Sequence, residues 1–400
     1  MIKINMEINK TLYFDHQATT PLDPQVFEAM RPYYAEKFGN PHASDHVIGW
    51  RAEQAVERAA GDIATMIGSD PDEIIFTSGA TEANNLAIIG LARRAVGHRN
   101  RVLLGATEHK SVLEIGRVLE TELGFTVSHI PVDAAGRIDL GALEESINED
   151  VLLVSVMAAN NEIGTIQDIP AIARLASHHG SLLHCDGAQA PGALNLSNFA
   201  QHVDMLSLSG HKMYAPMGVG ALYIRRDLQS RVAPIIYGGG QQSGLRSGTL
   251  PLALCVGFGA AARLITSAES TEERAALTRR RDAFLQQLQP LPVVIRINGP
   301  DDFSQRHPGN INICFAGIPA ADILSRIQPH LAAATGSACT SGIPEPSHVL
   351  RAIGLGEKEA ASSIRFSLGR YTTDEDVENA SSIIRAALHD LQSTGMLDAL

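Results

Sequence analysis

Reactive side chains follow short apolar runs in this 400-residue sequence. Lys212 comes shortly after the run at 204–209, and a partly desolvated amine can attack a carbonyl carbon near neutral pH. Asp186 ends the run at 181–185, and Gln189 comes three residues later. A carboxylate can hold a protonated ring nitrogen, and an amide can bind a ring oxygen. These residue types indicate a site for an aromatic cofactor that carries a carbonyl group.

Two further segments suit a phosphate group. The segment 77–82 lies between a predicted strand and a predicted helix, and its small residues leave backbone N–H groups at the helix start free to bind an anion. A plain turn with Thr81 as helix cap is the alternative. The glycine-rich segment 238–249 could complete a phosphate cup, from this chain or from a neighbouring subunit, or it could be a flexible loop.

Three single residues could act on the cofactor or on the substrate. His109 could stack on a cofactor ring or exchange protons. Asn161, after the run at 151–157, could bind a carboxylate or a ring oxygen of the cofactor, and Arg365 could grip a substrate carboxylate with its planar fork. Taken singly, each is equally typical of a solvated loop, an asparagine-rich turn or an ordinary strand charge.

The four cysteines fall into two groups. Cys339 lies among small polar residues at 335–342, where a thiol would be accessible to substrate, although no base accompanies it in the sequence. The others lie in apolar surroundings and are predicted to be core residues, namely Cys185, Cys255 and Cys314. We expect no metal site at His184 and its neighbours, because successive strand residues point to opposite faces.

The elements that position these residues alternate between strand and helix. Strands are predicted at 73–76, 101–105, 125–130, 151–157, 181–185, 204–209 and 220–225. Helical periodicity separates most of them, as at 50–67, 111–123 and 168–179. Such alternation favours a mostly parallel sheet covered on both faces, with ligands bound outside the carboxyl ends of its strands. After about residue 265 a charged helix at 271–289 and strands at 292–297 and 311–315 indicate a separate α+β lobe.

Composition narrows the class of protein. With 44% hydrophobic and 19% charged residues the chain can bury a sizeable core. A formal net charge of −12 without a long basic run argues against direct nucleic-acid binding. The first ten residues lack the apolar core of a signal peptide, and no apolar stretch reaches membrane-spanning length, so we expect a cytoplasmic protein.

The ordered motifs together resemble the cysteine desulfurases of the NifS/IscS type, group I, within the class V aminotransferases. The likeness extends from YFDHQATTPLDPQV (13–26) to SIRFSLGRYTT (363–373). Its most specific motifs are TSGATEANN, TEHKSV, NNEIGTIQDI, HCDGAQ, SLSGHKMYAP, RSGTL and TGSACTSGIPEPSHVL. The chain departs from the usual pattern at Ala215 and Met217, and in the position of His46, which affects loop packing and entrance contacts rather than chemistry.

The resemblance implies a fold-type I pyridoxal-phosphate enzyme that converts L-cysteine to L-alanine and takes the sulfur onto Cys339 as a persulfide. Lys212 would bind the cofactor covalently, His109 would stack on its ring and carry protons, and Asp186 and Gln189 would hold its nitrogen and hydroxyl. The cofactor phosphate would contact Ala80, Thr81, Ser209, His211 and, from the partner subunit of a homodimer, Thr249. Asn161 and Arg365 would hold the substrate carboxylate, with Arg370 as the alternative to Arg365.

The same resemblance implies a mostly parallel seven-stranded sheet in a large domain at 17–265. Residues 1–16 and 266–400 would form a small domain that carries the cysteine loop at about 334–346. A sulfur-acceptor protein would dock near that loop, for iron–sulfur cluster assembly or for thiolation of tRNA or DNA.

Three alternatives stay open from sequence alone. A transaminase needs no nucleophilic cysteine, so Cys339 argues against it. A selenocysteine lyase would differ in its response to L-cysteine, which the sequence does not settle. A catalytically idle scaffold is expected to lose Lys212 or Cys339, and both are present.

Overall fold

The computed structural model describes residues 11–95, 98–289, 291, 293–336 and 347–393. Cys339 and most of its predicted loop lie outside the described residues. The strands are β1 (Leu12–Tyr13), β2 (Ile74–Thr77), β3 (Arg101–Gly105), β4 (Thr126–Ile130), β5 (Val151–Ser155), β6 (Leu182–Asp186), β7 (Met205–Ser209), β8 (Gly220–Ile224), β9 (Ile295–Asn298), β10 (Asn310–Phe315), β11 (Leu331–Ala332) and β12 (Ser363–Ser367).

The α-helices follow the predicted alternation through the first two thirds of the chain. They are α1 (Pro24–Met30), α2 (Pro32–Ala35), α3 (Val47–Ile67), α4 (Ala80–Ala95), α5 (Lys110–Leu123), α6 (Leu140–Ser146), α7 (Ile169–His178), α8 (Ala190–Ala193), α9 (Leu252–Thr266), α10 (Glu269–Leu288), α11 (Ala320–Ile327), α12 (His348–Ala352), α13 (Glu357–Ala361) and α14 (Asp374–Ser393). Side-chain caps begin several of them; the ring of His46, for example, accepts the N–H of Gly49 at the start of α3.

The large sheet has the strand order β2-β8-β7-β6-β5-β3-β4. β3 pairs in parallel with β4 and β5, and the parallel pairing continues through β6 to β7. β8 runs antiparallel to both β7 and β2, so β2 points the same way as the parallel strands. The predicted mostly parallel seven-stranded sheet is therefore confirmed. Its topology brings the carboxyl ends of β2, β3, β5, β6 and β7 to one edge.

Burial explains why the central strands are mainly apolar. Every residue of β5, β6, β7 and β8 is buried, as expected for strands covered on both faces. One apolar cluster lies on the face covered by α3, α7 and α9, and a second lies on the face covered by α4 and α5. Cys185, Cys255 and Cys314 are buried, as predicted.

Two strands have different ends from those predicted, and in the first of them a side chain replaces a backbone hydrogen bond between strands. The predicted strand at 151–157 ends at Ser155, and the Met157 N–H donates to Glu108 Oε1 at 2.6 Å instead of to a neighbouring strand. The predicted strand at 292–297 is observed at Ile295–Asn298.

The C-terminal part forms a three-stranded antiparallel sheet in the order β12-β10-β9. Its core packs against α10 and α14 and includes Phe14 from the N-terminal segment. β1 pairs in parallel with β11. We propose that the described residues within 1–16 and 266–400 form the small domain, because Phe14 shares its core with residues from the C-terminal part.

Within the described ranges no single helix has the length and apolar character to cross a membrane. The bent pair α9 and α10 passes the same test on length and composition alone, and most of α9 is buried inside the protein.

Candidate functional site

A cavity of about 510 Å³ opens at the carboxyl edge of the large sheet. The loops after β2, β3, β5, β6 and β7 all contribute to it. The predicted site residues that line it are Ala80, Thr81, His109, Asn161, Asp186, Gln189, Ser209, His211 and Lys212. Residues far apart in the sequence thus meet where the strand topology brings them together.

Lys212 ends a short 3₁₀ turn that follows β7. Its Nζ donates hydrogen bonds to the carbonyl oxygens of Gln17 at 2.5 Å and Ala18 at 2.8 Å. Burial, followed by the nearby positive charge of Arg365, lowers the pKa of Lys212 to about 8. A pKa of about 8 leaves part of this amine uncharged near neutral pH, where it can act as a nucleophile or base.

Asp186 is the last residue of β6 and is 5% exposed. Its Oδ1 accepts the Ala188 N–H at 2.9 Å, and its Oδ2 accepts an amide hydrogen from Asn84 Nδ2 at 2.9 Å. These two donors fix the orientation of the Asp186 side chain, and a carboxylate held in this way can bind a protonated ring nitrogen. Gln189 lies beside it and donates to the carbonyl oxygen of Gln17 at 3.0 Å.

His109 is the N-cap of α5. Its Nδ1 accepts the Ser111 N–H at 3.1 Å and lies 2.8 Å from Ser111 Oγ. The pKa of His109 is lowered from 6.5, chiefly by burial, so the ring is neutral at physiological pH. A neutral ring with its plane fixed by a helix cap can stack on an aromatic group and exchange a proton through Nε2.

The start of α4 forms one wall of the cavity with Ser78, Gly79, Ala80 and Thr81. The first N–H groups of a helix have no partner within the helix, and its dipole favours an anion there. Gly79 has a φ of +156°, a conformation that glycine tolerates and other residues rarely adopt. This wall suits a phosphate group, as the sequence predicts.

The segment 238–249 is tied to α4 by a partly buried ion pair between Arg246 and Glu82, with a nitrogen–oxygen distance of 2.7 Å. Thr249 is exposed and does not line the cavity of its own chain. His211, by contrast, lines the cavity, and its Nδ1 lies 3.1 Å from Thr19 Oγ1. Burial lowers the pKa of His211 to about 4, so this ring contributes no positive charge to the phosphate wall.

The two candidate arginines have different partners. Arg365 on β12 donates from Nη1 to the carbonyl oxygen of Asn161 at 2.7 Å and pairs with Asp15 at 2.6 Å, while its buried Nε has no partner. Arg370 pairs with Asp23 at 2.8 Å and with Glu273 at 3.0 Å. Neither arginine lines the cavity itself. Arg365 hydrogen-bonds to Asn161, which does line it, and this keeps Arg365 the stronger candidate for binding a substrate carboxylate.

Glu162 joins the two described ends that flank the segment 337–346. Ser347 Oγ donates to Glu162 Oε2 at 2.5 Å, and a Cβ built on Gly336 would lie 3.0 Å from the same oxygen. Glu162 is buried, next in sequence to Asn161. The described residues Gly336 and Ser347 therefore lie beside Glu162, which is next in sequence to the cavity residue Asn161.

Sequence reasoning missed several residues that hold the catalytic candidates. The carbonyls of Gln17 and Ala18 accept hydrogen bonds from Lys212. Asn84 donates to Asp186, and Ser111 donates to His109. Asn84 and Ser111 each lie inside a quoted motif, TSGATEANN and TEHKSV, and polar residues on otherwise apolar helix faces are a usable signal. The carbonyl contacts have no side-chain signal at all.

The donor set fits pyridoxal phosphate. A low-pKa amine, a buried carboxylate, a neutral imidazole and a helix N-terminus line one cavity of sufficient size. The described residues contain no group of His, Cys, Asp or Glu arranged to hold a metal ion.

Comparisons with known proteins agree with this assignment. The family model of class V aminotransferases matches residues 12–380. The cysteine desulfurase IscS of Rickettsia bellii is 44% identical over 397 residues, covering 98% of this chain and 96% of the relative. A solved structure described as a NifS-like protein superposes with a TM-score of 0.87 at 33% identity, covering 96% of this chain and all of that one. SspA in complex with cysteine superposes with a TM-score of 0.79 at 36% identity, covering 91% of this chain and all of that one.

The chain therefore belongs to the class V aminotransferase family. Pyridoxal phosphate is its cofactor, in agreement with the residues that line the cavity.

Proposed function

We propose that the residues lining this cavity, together with Cys339, carry out cysteine desulfuration. The protein is a pyridoxal-phosphate-dependent cysteine desulfurase. It converts L-cysteine and the Cys339 thiol into L-alanine and a Cys339 persulfide, so the substrate carbon–sulfur bond breaks as a sulfur–sulfur bond forms. The observation that carries the assignment of roles is the low-pKa amine of Lys212 in one cavity with Asp186 and His109.

Each face of the cavity has a part in binding the cofactor. When bound, pyridoxal phosphate supplies an aldehyde that reacts with amines and a ring that stabilises negative charge at the substrate Cα. Lys212 would attach it, Asp186 would hold its ring nitrogen, Gln189 its hydroxyl, and His109 would stack on the ring. The phosphate would bind at the start of α4, to Ala80 and Thr81, and beside Ser209 and His211.

Lys212 and His109 transfer the protons in this reaction. Lys212, uncharged in a substantial fraction of molecules because its pKa is about 8, takes the Cα proton and returns it during formation of alanine. His109 accepts a thiol proton, which leaves the Cys339 thiolate free to attack the substrate sulfur. His109 is neutral at physiological pH, and the uncharged fraction of Lys212 supplies the free amine that a general base needs.

Asn161 and Arg365 would hold the substrate carboxylate. Arg365 already contacts the Asn161 backbone, and its unpartnered Nε is a spare donor. The planar guanidinium suits a bidentate carboxylate contact. This step fixes which side of the substrate faces Lys212.

A second copy of the chain would complete the site. Exposed apolar side chains occur at Phe38, Ile48, Trp50 and Tyr237, the last of which is 73% exposed. Such residues suit an interface with another protein chain. Thr249 is exposed and outside its own cavity, so in a homodimer it would be free to contact the phosphate bound by the partner subunit.

Sulfur would leave Cys339 for an acceptor protein that docks near 334–346. Iron–sulfur cluster assembly and thiolation of tRNA or DNA are the processes that such an acceptor could serve. The acidic net charge of −12 favours transfer to a protein over direct binding of nucleic acid.

The decisive experiment compares the wild type with Cys339→Ala. Both proteins receive L-cysteine and a reductant, and alanine, sulfide and cofactor absorbance are measured. We expect the variant to keep the cofactor absorbance and to release little sulfide. A variant as active as the wild type would remove Cys339 as the nucleophile.

A further inference from the structure

Asn84 lies one turn into α4, directly behind the cavity wall, and is fully buried. Its single amide nitrogen makes two hydrogen bonds. One goes to Asp186 Oδ2 at 2.9 Å and the other to Ser111 Oγ at 3.0 Å. Asn84 thus connects the residue expected to hold the cofactor nitrogen with the residue that holds His109.

The direction of these bonds follows from donor and acceptor chemistry. An ionised carboxylate only accepts, so the amide nitrogen rather than the amide oxygen must face Asp186. Both amide hydrogens are then used, and Asn84 Oδ1 remains buried without a partner. Because an unpartnered buried acceptor is unfavourable for folding, the orientation of this side chain serves the two groups that it contacts.

Ser111 accepts a hydrogen bond from Asn84 and donates one to His109. Its hydroxyl accepts from Asn84, so its one hydrogen is available for His109 Nδ1 at 2.8 Å. The Ser111 N–H also donates to that nitrogen, at 3.1 Å. Two donors on Nδ1 require a lone pair there, which places the proton of the neutral ring on Nε2.

We propose that Asn84 is a positioning residue that acts on both ends of the site: it holds the Asp186 carboxylate and, through Ser111, fixes His109 as the Nε2–H tautomer. This inference rests on the roles proposed for Asp186 and His109. Asn84 donates to both Asp186 and Ser111, and Ser111 in turn donates to His109. One amide thus supplies a donor to the Asp186 carboxylate and, through Ser111, makes His109 an acceptor at Nδ1. Proton exchange by His109 is thereby restricted to Nε2.

The first test replaces Asn84 with leucine, which has nearly the same shape and removes the unpartnered oxygen together with both donors. We expect the apoprotein to bind pyridoxal phosphate roughly tenfold more weakly, because Asp186 loses one of two donors. The apoprotein should stay folded with at most a modest fall in unfolding temperature, because Asp186 Oδ2 loses a donor while the unpartnered Asn84 oxygen is also removed. Asn85→Ala is the matched control, since the Asn85 amide donates to the backbone oxygen of Thr81 on the outer side of α4.

The second test reads the imidazole directly by nitrogen NMR of the apoprotein. In the wild type we expect the Nε2–H tautomer and a pKa below the usual value of 6.5. In Ser111→Ala the pKa should rise, since Nδ1 loses its hydroxyl donor. Asn84→Leu should raise it by less, and Asn85→Ala should leave it unchanged.

The outcomes separate the inference from the proposed function. Wild-type cofactor affinity and an unchanged His109 pKa in Asn84→Leu would overturn the inference, as would the same changes in Asn85→Ala. The Asn84→Leu result tests the inference separately only if Asp186→Ala also weakens cofactor binding. If Asp186→Ala binds the cofactor normally, the proposed role of Asp186 fails first, and the inference fails with it.

Discussion

The cavity edge of the large sheet and the turn after β12 hold their cations in opposite ways. Lys212 at the cavity edge is held by two backbone carbonyls. Arg370 in the turn is held by the carboxylates of Asp23 and Glu273 and lies over the ring of Tyr214, 4.6 Å from its centroid. Burial and the positive charge of Arg365 lower the pKa of Lys212, whereas Arg370 has a raised pKa, because its acidic partners and Tyr214 outweigh burial.

Arg365 lies between these extremes, with one carbonyl partner and one carboxylate partner. A cation that is paired with carboxylates is fixed in the fold. A cation that is bound by neutral acceptors keeps its charge, or some of its N–H donors, available to bind or react with a ligand. Groups held by neutral acceptors are therefore the candidates for chemistry, and the predictions below test that distinction.

The largest expected effect is from Lys212→Ala. Alanine production from L-cysteine should fall at least ~10³-fold, because the attaching amine and the Cα base are lost together. The unfolding temperature of the apoprotein should be unchanged or higher, since a buried amine whose hydrogen-bond partners are carbonyls is removed. Activity within tenfold of the wild type would remove Lys212 from the mechanism.

Arg370→Leu should act on stability instead. Breaking a buried ion pair leaves the carboxylate of Asp23 uncompensated, which costs about 3–5 kcal/mol in the free energy of unfolding. Denaturant titration measures that loss, and KM for L-cysteine should stay within twofold. A raised KM at unchanged stability would reverse the assignments of the two arginines.

Arg365→Leu is the matched experiment five residues away. We expect KM for L-cysteine to rise roughly tenfold or more, in line with the loss of a charged hydrogen bond to the substrate carboxylate. Cofactor absorbance should be retained. If KM is unaffected while stability drops as in Arg370→Leu, Arg365 is a structural residue as well.

The smallest effect concerns pH. Asp15 raises the pKa of Lys212, so Asp15→Asn should lower it below about 8, by less than ~1 unit. The rate at which apoprotein takes up pyridoxal phosphate should rise with pH through this pKa, and its midpoint should move to lower pH in the variant. Asp227→Asn, at an exposed ion pair with Arg225, is the control and should leave the midpoint in place. A midpoint that stays or moves upward contradicts the prediction.

Much of the fold and of the cavity lining could be predicted from sequence. Apolar runs of five residues between helical periods identify strands buried on both faces, and polar residues after them identify the functional edge. Asp186 and Lys212 were found in this way. The order of motifs added the individual roles, which residue spacing alone left open.

The supporting contacts were beyond such reasoning for physical reasons. Lys212 is held by backbone carbonyls, which every residue possesses, so Gln17 and Ala18 have no distinguishing side-chain signal. Asn84 meets Asp186 across 102 positions, and only the packing of α4 on the sheet shows that the two are neighbours. Arg365 and Arg370 look alike in sequence, and their partners alone separate them.

The ion pair between Asp15 and Arg365 joins positions 350 apart, so it constrains the order in which a nascent chain can assemble. Lys212, Asp186 and the start of α4 have all been synthesised before residue 213. The substrate-side arginine follows after 153 more residues (365 − 212), about 10–30 s of synthesis at ordinary rates. A ribosome-bound chain can therefore build the cofactor half of its site well before the substrate half exists.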